Sequence, residues 1–345
     1  MFSQSKKAAV EGEAAVIGVQ KMTLSTFLIR YNALIILVAL VIVASIMSPI
    51  FSSSGNIYNI FRQQTTYMVI AIGMLLVMLT GGIDLSVSSI AAIGSIMVAY
   101  PLQNWGLQNS GWGLAAAIVI GIGCGAVIGA INGFLVAHLK MPAFIVTLAT
   151  MIAFQGVAFI LTNGSTILLD TTIPANSMLV NFAQSNDPLL KIPYPVYVAA
   201  AIVILFGLIM SYTSFGRLVI ATGSNETAVN LAGINTKKYK FWVYTICGAL
   251  SGLAGMIITA KTGTATALTA SVDYNLSTIA GVVIGGCSLL GGEGSVAFTV
   301  VGVLIIAVIG NIMNLINLAV YPQMIVKAVI IILAVLLKSL SQKQR

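Results

Sequence analysis

Long apolar runs separated by short polar links fill most of the chain. A membrane-spanning helix needs roughly 17 to 25 predominantly apolar residues. On that criterion the runs predict spans at 32–50, 66–83, 85–101, 112–137, 143–162, 194–212, 241–260, 275–291, 295–315 and 322–338. The fourth, eighth and ninth are rich in glycine and read as places where a helix can break or re-enter. The expected fold class is therefore all-α: a polytopic membrane protein of about ten transmembrane helices with broken or re-entrant Gly-rich segments. One membrane domain at 31–338 would lie between an N-terminal tail at 1–30 and a C-terminal tail at 339–345. The longest links are an outer loop at about 163–193, with room for a short surface helix, and an inner loop at about 213–240.

Composition agrees with the pattern. Of 345 residues, 59% are hydrophobic and only 7% charged, and the mean hydropathy is +1.04. A water-soluble fold could not cover such a chain with polar surface. The net charge of +8 lacks the clustered basic and aromatic pattern of a nucleic-acid surface, so nucleic acid is not an expected partner. The charge reads as topology instead. With the N-terminus in the cytoplasm, twelve of the 16 Lys and Arg residues lie inside, and Arg62, Lys191 and Lys261 lie outside. That asymmetry follows the positive-inside rule and puts both termini in the cytoplasm. Cys124, Cys247 and Cys287 stand singly in apolar runs, so neither a disulfide framework nor a metal site is expected. HExxH, GxSxG, CxxC and Walker patterns are absent. The chain reads as no enzyme and as holding no cofactor of its own, so any energy source must be external.

Within this background a few positions carry specific physical meaning. Gly121, Gly125, Gly129 and Gly133 recur every four residues, a smooth strip along one helix face on which another backbone can pack closely. Asp84, in "LTGGIDLSVSS", suits a helix N-cap better than direct contact with a solute, though an ionisable group at membrane depth is also a candidate for the path of a solute. Gln63, Gln64, Asn132, Gln155 and Asn314 are further polar candidates for such a path, each also able to serve as a helix–helix hydrogen bond. "VIGAINGFLVAHLKMP" and "VIGNIMNLINLAVYP" echo each other, as do Gly81-Gly82 and Gly291-Gly292, which raises the prospect of an internal repeat. In 214–240, "SFGRLVIATGSNETAVNLAGINTKKYK", SFGR reads as a turn. Ser224 or Asn225 then reads as an N-cap, Glu226 as a first-turn acid and Gly233 as a C-cap around a two-turn helix. A helix that short is stable only when packed on something.

Taken in order, "GMLLVMLTGGIDLSVSS", "NGFLVAHLKMPAFIVTLATM", "TSFGRLVIATGSNETAVNLAGI", "GALSGLAG" and "IAGVVIGGCSLLGGEGSV" resemble the ribose/galactoside-type permeases of bacterial ABC importers over about residues 55 to 338. Ser88-Ser89 stands where many members carry glycine. The resemblance implies a permease in the bacterial cytoplasmic membrane, working with an ABC ATPase subunit that holds ATP and Mg. It also implies a periplasmic or lipid-anchored sugar-binding protein and a second permease copy, identical or paralogous. Its coupling pattern falls on Gly223, Asn225, Glu226, Ala228, Gly233 and Ile234. The expected cargo is a monosaccharide or similar small polyol. A nucleoside or branched-chain amino acid permease of the same superfamily, or a stand-alone secondary transporter, are the alternatives.

Overall fold

A computed structural model describes residues 31–269 and 272–343; the predicted tail at 1–30 lies outside them. Thirteen α-helices occur among the described residues. They are α1 (Asn32–Met47), α2 (Ser54–Leu79), α3 (Val87–Asn104), α4 (Gly113–Ala137), α5 (Ala143–Thr162), α6 (Pro174–Gln184) and α7 (Tyr194–Tyr212). The remainder are α8 (Ser214–Ser224), α9 (Glu226–Leu231), α10 (Thr236–Thr262), α11 (Val272–Ile284), α12 (Val296–Leu315) and α13 (Val320–Lys343). Strands β1 (Ile167–Leu168) and β2 (Thr264–Ala265) form one short antiparallel pair. It clips the outer loop to the end of α10.

Each of the ten expected spans coincides with one helix. By length and composition, seven segments can cross a membrane: α2, α4, α5, α7, α10, α12 and the stretch containing α11. The expected spans outside that count are α1 and α13, whose described apolar stretches are shorter, and α3. α3 carries three serines plus Gln103 and Asn104, yet Ser88, Ser89 and Ser95 are fully buried. These serines are enclosed by protein rather than lipid, with Ser89 bonded to the Ser86 carbonyl and Ser95 to Thr259 of α10. α11 has 13 residues, about 20 Å of helix against a hydrocarbon thickness of about 30 Å, and the glycine-rich link 285–295 follows it. The other two Gly-rich spans expected to break, the fourth and the ninth, are instead the continuous helices α4 and α12. α13 continues through Lys343, into the predicted tail at 339–345.

The centre of the molecule is α10, packed most extensively on α4 and then on α3 and α2. Glycine makes this approach possible. A Cβ on Gly125 would lie 2.4 Å from the Gly248 carbonyl oxygen, and one on Gly129 would lie 2.3 Å from that of Tyr244. For Gly133 the obstacle is the Phe241 carbonyl at 2.7 Å, and for Gly121 it is Val98 and Gly94 of α3. The four-residue strip therefore faces α10 along most of its length and α3 at one end. Backbones this close gain dispersion contacts that lipid tails cannot match. The lower half of α2, from Met68 to Leu79, is buried against this seam. By contrast α1, α7 and α13 leave large apolar side chains such as Ile46, Ile204 and Ile332 exposed, as a lipid-facing surface requires.

Candidate functional site

The loop between α7 and α10 folds into two helices. SFGR is not a turn but the start of α8, capped by the Thr213 hydroxyl, which accepts from the Gly216 N–H at 3.3 Å. Gly216 lets α8 double back, since a Cβ there would lie 2.4 Å from the Met210 carbonyl oxygen. Buried Val219 and Thr222 then hold the helix in place. Next, Asn225 caps α9, its Oδ1 accepting from the Ala228 N–H at 2.9 Å. Gly233 ends the helix at φ 80°, with the Ile234 N–H on the Val229 carbonyl at 3.2 Å and the Gly233 N–H on the Asn230 carbonyl at 3.0 Å. This is the Schellman pattern, and it needs a residue tolerant of the left-handed region. The cap is Asn225 alone; Ser224 instead donates back to the Ile220 carbonyl within α8.

Glu226 has a different job from the cap. Its carboxylate accepts from the Lys240 ammonium at 2.6 Å and from the Thr236 hydroxyl at 3.0 Å, tying α9 to the start of α10. Partial burial pushes its pKa up, but Lys240 and Thr236 outweigh this and hold the carboxyl below its ordinary value. α9 keeps Val229 buried and Leu231 exposed to 84%. A short helix thus stands braced by an ion pair and two caps, with an apolar side chain left facing outward.

The same loop touches the ends of the membrane helices. A Cβ on Gly223 would meet the Leu79 carbonyl oxygen at 1.8 Å, and one on Gly291 would approach the Gly81 nitrogen at 2.7 Å and the Gly223 Cα at 3.1 Å. The Gly292 N–H donates to the Leu79 carbonyl at 2.9 Å. The two Gly-Gly pairs that echo one another in the sequence therefore meet at one junction, joining α8, the end of α2 and the link after α11. Beside it lies a cleft of about 650 Å3 lined by Thr80, Gly81, Lys140, Glu226, Lys240 and Tyr244, among others. His138, at the end of α4, stacks on Phe134 with ring centroids 5.2 Å apart.

The predicted path residues separate into groups. Asp84 is fully buried, and its Oδ1 accepts from the Ser86 N–H at 2.9 Å and from the Ser86 hydroxyl. This turn leads into α3, where the positive helix end favours a carboxylate. The hydrogen bonds continue in one direction. The Asn132 amide donates to the Ser86 hydroxyl at 2.8 Å, and the Thr150 hydroxyl donates to Asn132 Oδ1 at 2.6 Å. A relay from α5 through α4 thus ends on the Asp84 carboxylate. The N-cap position of α3 is Ser86 rather than the expected Asp84, and Asn275 of α11 reaches its first turn, accepting from the Ser88 N–H at 3.0 Å and donating to the Leu85 carbonyl at 2.7 Å. Neither Ser86 nor Asn275 stands out in the sequence, because their partners lie on other helices.

Gln63, Gln64 and Asn314 come together elsewhere. With Asn59, Tyr67, Ser277, Asn311, Gln323 and Lys327 they line a cavity of about 250 Å3 between α2, α11, α12 and α13. Gln63 and Gln64 lie just before the predicted span at 66–83 and Asn314 at the end of the one at 295–315; Gln63 and Asn314 are exposed and Gln64 is half-buried. The Gln323 amide donates to Asn314 Oδ1 at 2.8 Å, and Asn56 and Asn311 exchange amide hydrogen bonds. The Tyr67 and Tyr274 rings stack with centroids 4.8 Å apart. At the same end the Lys261 ammonium donates to the Gln63 carbonyl, and Arg62 bonds Asn186 of the outer loop. Gln155 joins neither group; it sits half-exposed on α5.

The comparisons with known proteins fit this architecture. Residues 56–335 match the family described as branched-chain amino acid transport system / permease component. The ribose import permease protein RbsC of Escherichia coli (strain K12) is 39% identical over 317 residues, covering 92% of this chain and 95% of that protein. Its namesake in Bacillus subtilis (strain 168) is 40% identical over 298 residues, covering 86% and 89%. The L-arabinose transport system permease protein AraH of Escherichia coli (strain K12) is 32% identical over 317 residues, covering 92% of each. No solved structure matches the chain.

Proposed function

The chain belongs to this family of transport-system permease components, and on that footing we propose that it is the membrane subunit of an ABC importer for a monosaccharide or similar small polyol. It is a permease rather than an enzyme, a multi-pass protein of the bacterial cytoplasmic membrane, and ATP with Mg belongs to a partner ATPase subunit. The observation that carries the solute class is the chamber of Asn, Gln, Ser and Tyr side chains, with Lys327 among them, around Gln63, Gln64 and Asn314. Neutral donors and acceptors beside aromatic rings match the hydroxyls and flat apolar faces of a sugar. Permease relatives named for ribose and L-arabinose support the same reading.

Exposed amides on α2, beside the predicted membrane span, also bear on assembly. Gln63 stands about 14 Å along α2 from its start. A polar side chain there needs water or a protein neighbour. A second permease copy facing this chamber would supply both a wall and an aqueous path, with solute delivered from outside by a binding protein. The inside-positive charge distribution orients both termini and the 213–240 loop toward the cytoplasm. There α9, with Gly223, Asn225, Glu226, Ala228, Gly233 and Ile234 shaping it, would dock into the ATPase subunit. Movement of α9 would reach the chamber through the Gly223–Leu79–Gly292 junction, because α2 and α11 run from that junction to the chamber wall. A solute is driven only when its contacts differ between the two states of the path.

The test replaces Leu231 with Asp. The expected result is loss of co-purification with the ATPase subunit and of ATP-driven uptake, with the thermal midpoint of the permease unchanged. Retention of both by L231D would overturn the coupling role of α9.

A further inference from the structure

A groove of about 560 Å3 opens where α7 ends and α10 begins, apart from both the chamber and the cleft beside α9. Its bed is apolar: Phe206 and Ile209 from α7, Phe215 from α8, and Trp242 and Ile246 from α10. Along α7 the bed continues into Ile204, Leu205 and Leu208, each exposed by more than half. That face is one that lipid tails cover. Lys238 lines the groove's rim, and Arg217 stands one turn into α8, its guanidinium reaching back to the Tyr212 carbonyl at 3.5 Å. Neither cation has an acidic side chain at ion-pair distance among the described residues; Glu226, the acid of this loop, is taken by Lys240. The positive end of the α8 dipole adds to the same rim.

We propose that this groove binds one anionic phospholipid of the cytoplasmic leaflet, its phosphate held between Lys238 and Arg217 and one acyl chain laid along Trp242, Phe206 and Ile209. The assignment rests on the inward orientation of the 213–240 loop proposed above. Three features favour a lipid over a protein occupant. The apolar bed is continuous with the lipid-facing side of α7, the charge sits at one end only, and Trp242, 46% exposed, lies at the junction of the two. An amphipathic ring beside unpaired cations is the arrangement expected at a headgroup boundary. The cytoplasmic leaflet supplies the complementary negative charge.

The chain contains three Trp residues, so replacing Trp105 and Trp112 by Phe leaves Trp242 as the sole reporter. Fluorescence of this full-length variant is read in nanodiscs carrying brominated phosphatidylglycerol or brominated phosphatidylcholine at the same mole fraction. Stronger quenching by phosphatidylglycerol is expected, with enrichment of about fivefold for each basic residue at headgroup level. In R217Q/K238Q the two lipids should quench alike, whereas R217K/K238R should keep the preference. Equal quenching by both lipids in the parent variant would overturn the proposal, because any lipid would then fill the groove. Absence of quenching by either would overturn it too, pointing to a protein cover. If uptake and ATPase association fail in L231D while the lipid preference persists, the coupling reading and this one are separated.

Discussion

Two polar regions, similar in sequence, differ in how far their hydrogen bonds are closed within one chain. The Asp84–Ser86–Asn132–Thr150 relay is buried between α3, α4 and α5, and Asn132 uses both ends of its amide on protein partners, leaving Asp84 Oδ2 as the relay's one side-chain atom without a hydrogen bond among the described residues. Around Gln63, Gln64 and Asn314 the amides line an open cavity and two of the three are exposed. Both regions place amides within or beside apolar runs, so the runs alone do not say which amides end up enclosed. A polar group inside a membrane protein is stabilising when its neighbours satisfy it, and available for a solute when they do not. The relay holds helices together next to the glycine seam, while the chamber leaves bonding capacity for something that comes and goes.

The sharpest way to break the comparison is to attack the seam that encloses the relay. Gly129→Leu would drive a side chain into the Tyr244 carbonyl, 2.3 Å from the new Cβ, where only backbone movement of α4 or α10 could relieve the clash. A cost above about 4 kcal/mol is expected, read as loss of folded protein in a detergent size-exclusion profile. A normal profile for G129L would show that the α4–α10 approach is not needed.

Next in size is Asn132→Leu, which leaves the Thr150 hydroxyl without its acceptor and the Ser86 hydroxyl, still donating to Asp84, without its donor. An orphaned group costs about 1–3 kcal/mol, although averages for interhelical hydrogen bonds in membranes fall nearer 0.6 kcal/mol. The thermal midpoint should fall, and uptake per folded molecule should stay near the parent value. Uptake lost at an unchanged midpoint would move Asn132 into the solute path.

How far the sequence could have told these regions apart depends on the range of the contacts involved. The apolar runs locate the helices because length and hydropathy are local, and the four-residue glycine spacing of α4 is likewise a one-helix signal. The caps of α9 were legible for the same reason: Asn225 and Gly233 act on atoms within a few residues. α8 was not, because Gly216 and Gly223 lower its intrinsic propensity and burial of Val219 and Thr222 overrides this. Asn275 caps α3 across 187 residues of chain, and Glu226 meets Lys240 across 14. Such pairings exist only once the helices are packed. The grouping of Gln64 with Asn314, and its separation from Asn132, is of this second kind.

In the chamber the opposite signature is expected. Gln64→Leu removes a donor and an acceptor that no protein group requires, so the thermal midpoint should hold. Sugar uptake should drop about fivefold to tenfold, equivalent to roughly 1–1.4 kcal/mol of lost interaction. A fallen midpoint with uptake retained per folded molecule would make Gln64 another structural amide, and the contrast between the two regions would vanish.

The smallest effect separates a third kind of polar contact, the ion pair of Glu226 with Lys240, from both. The Glu226 side chain is 43% exposed, so solvent screening limits the pair to about 0.2–1 kcal/mol. Its sign with pH is nonetheless defined. The folded carboxyl titrates below its ordinary value of 4.5, so the stabilisation is complete above that value and is lost as pH falls through the folded one. The thermal midpoint of Glu226→Gln should therefore sit slightly below the parent at neutral pH and converge with it in acid. The absence of any gap at neutral pH would mean that Glu226 braces α9 through the Thr236 hydroxyl, a contact a glutamine can keep, rather than through charge.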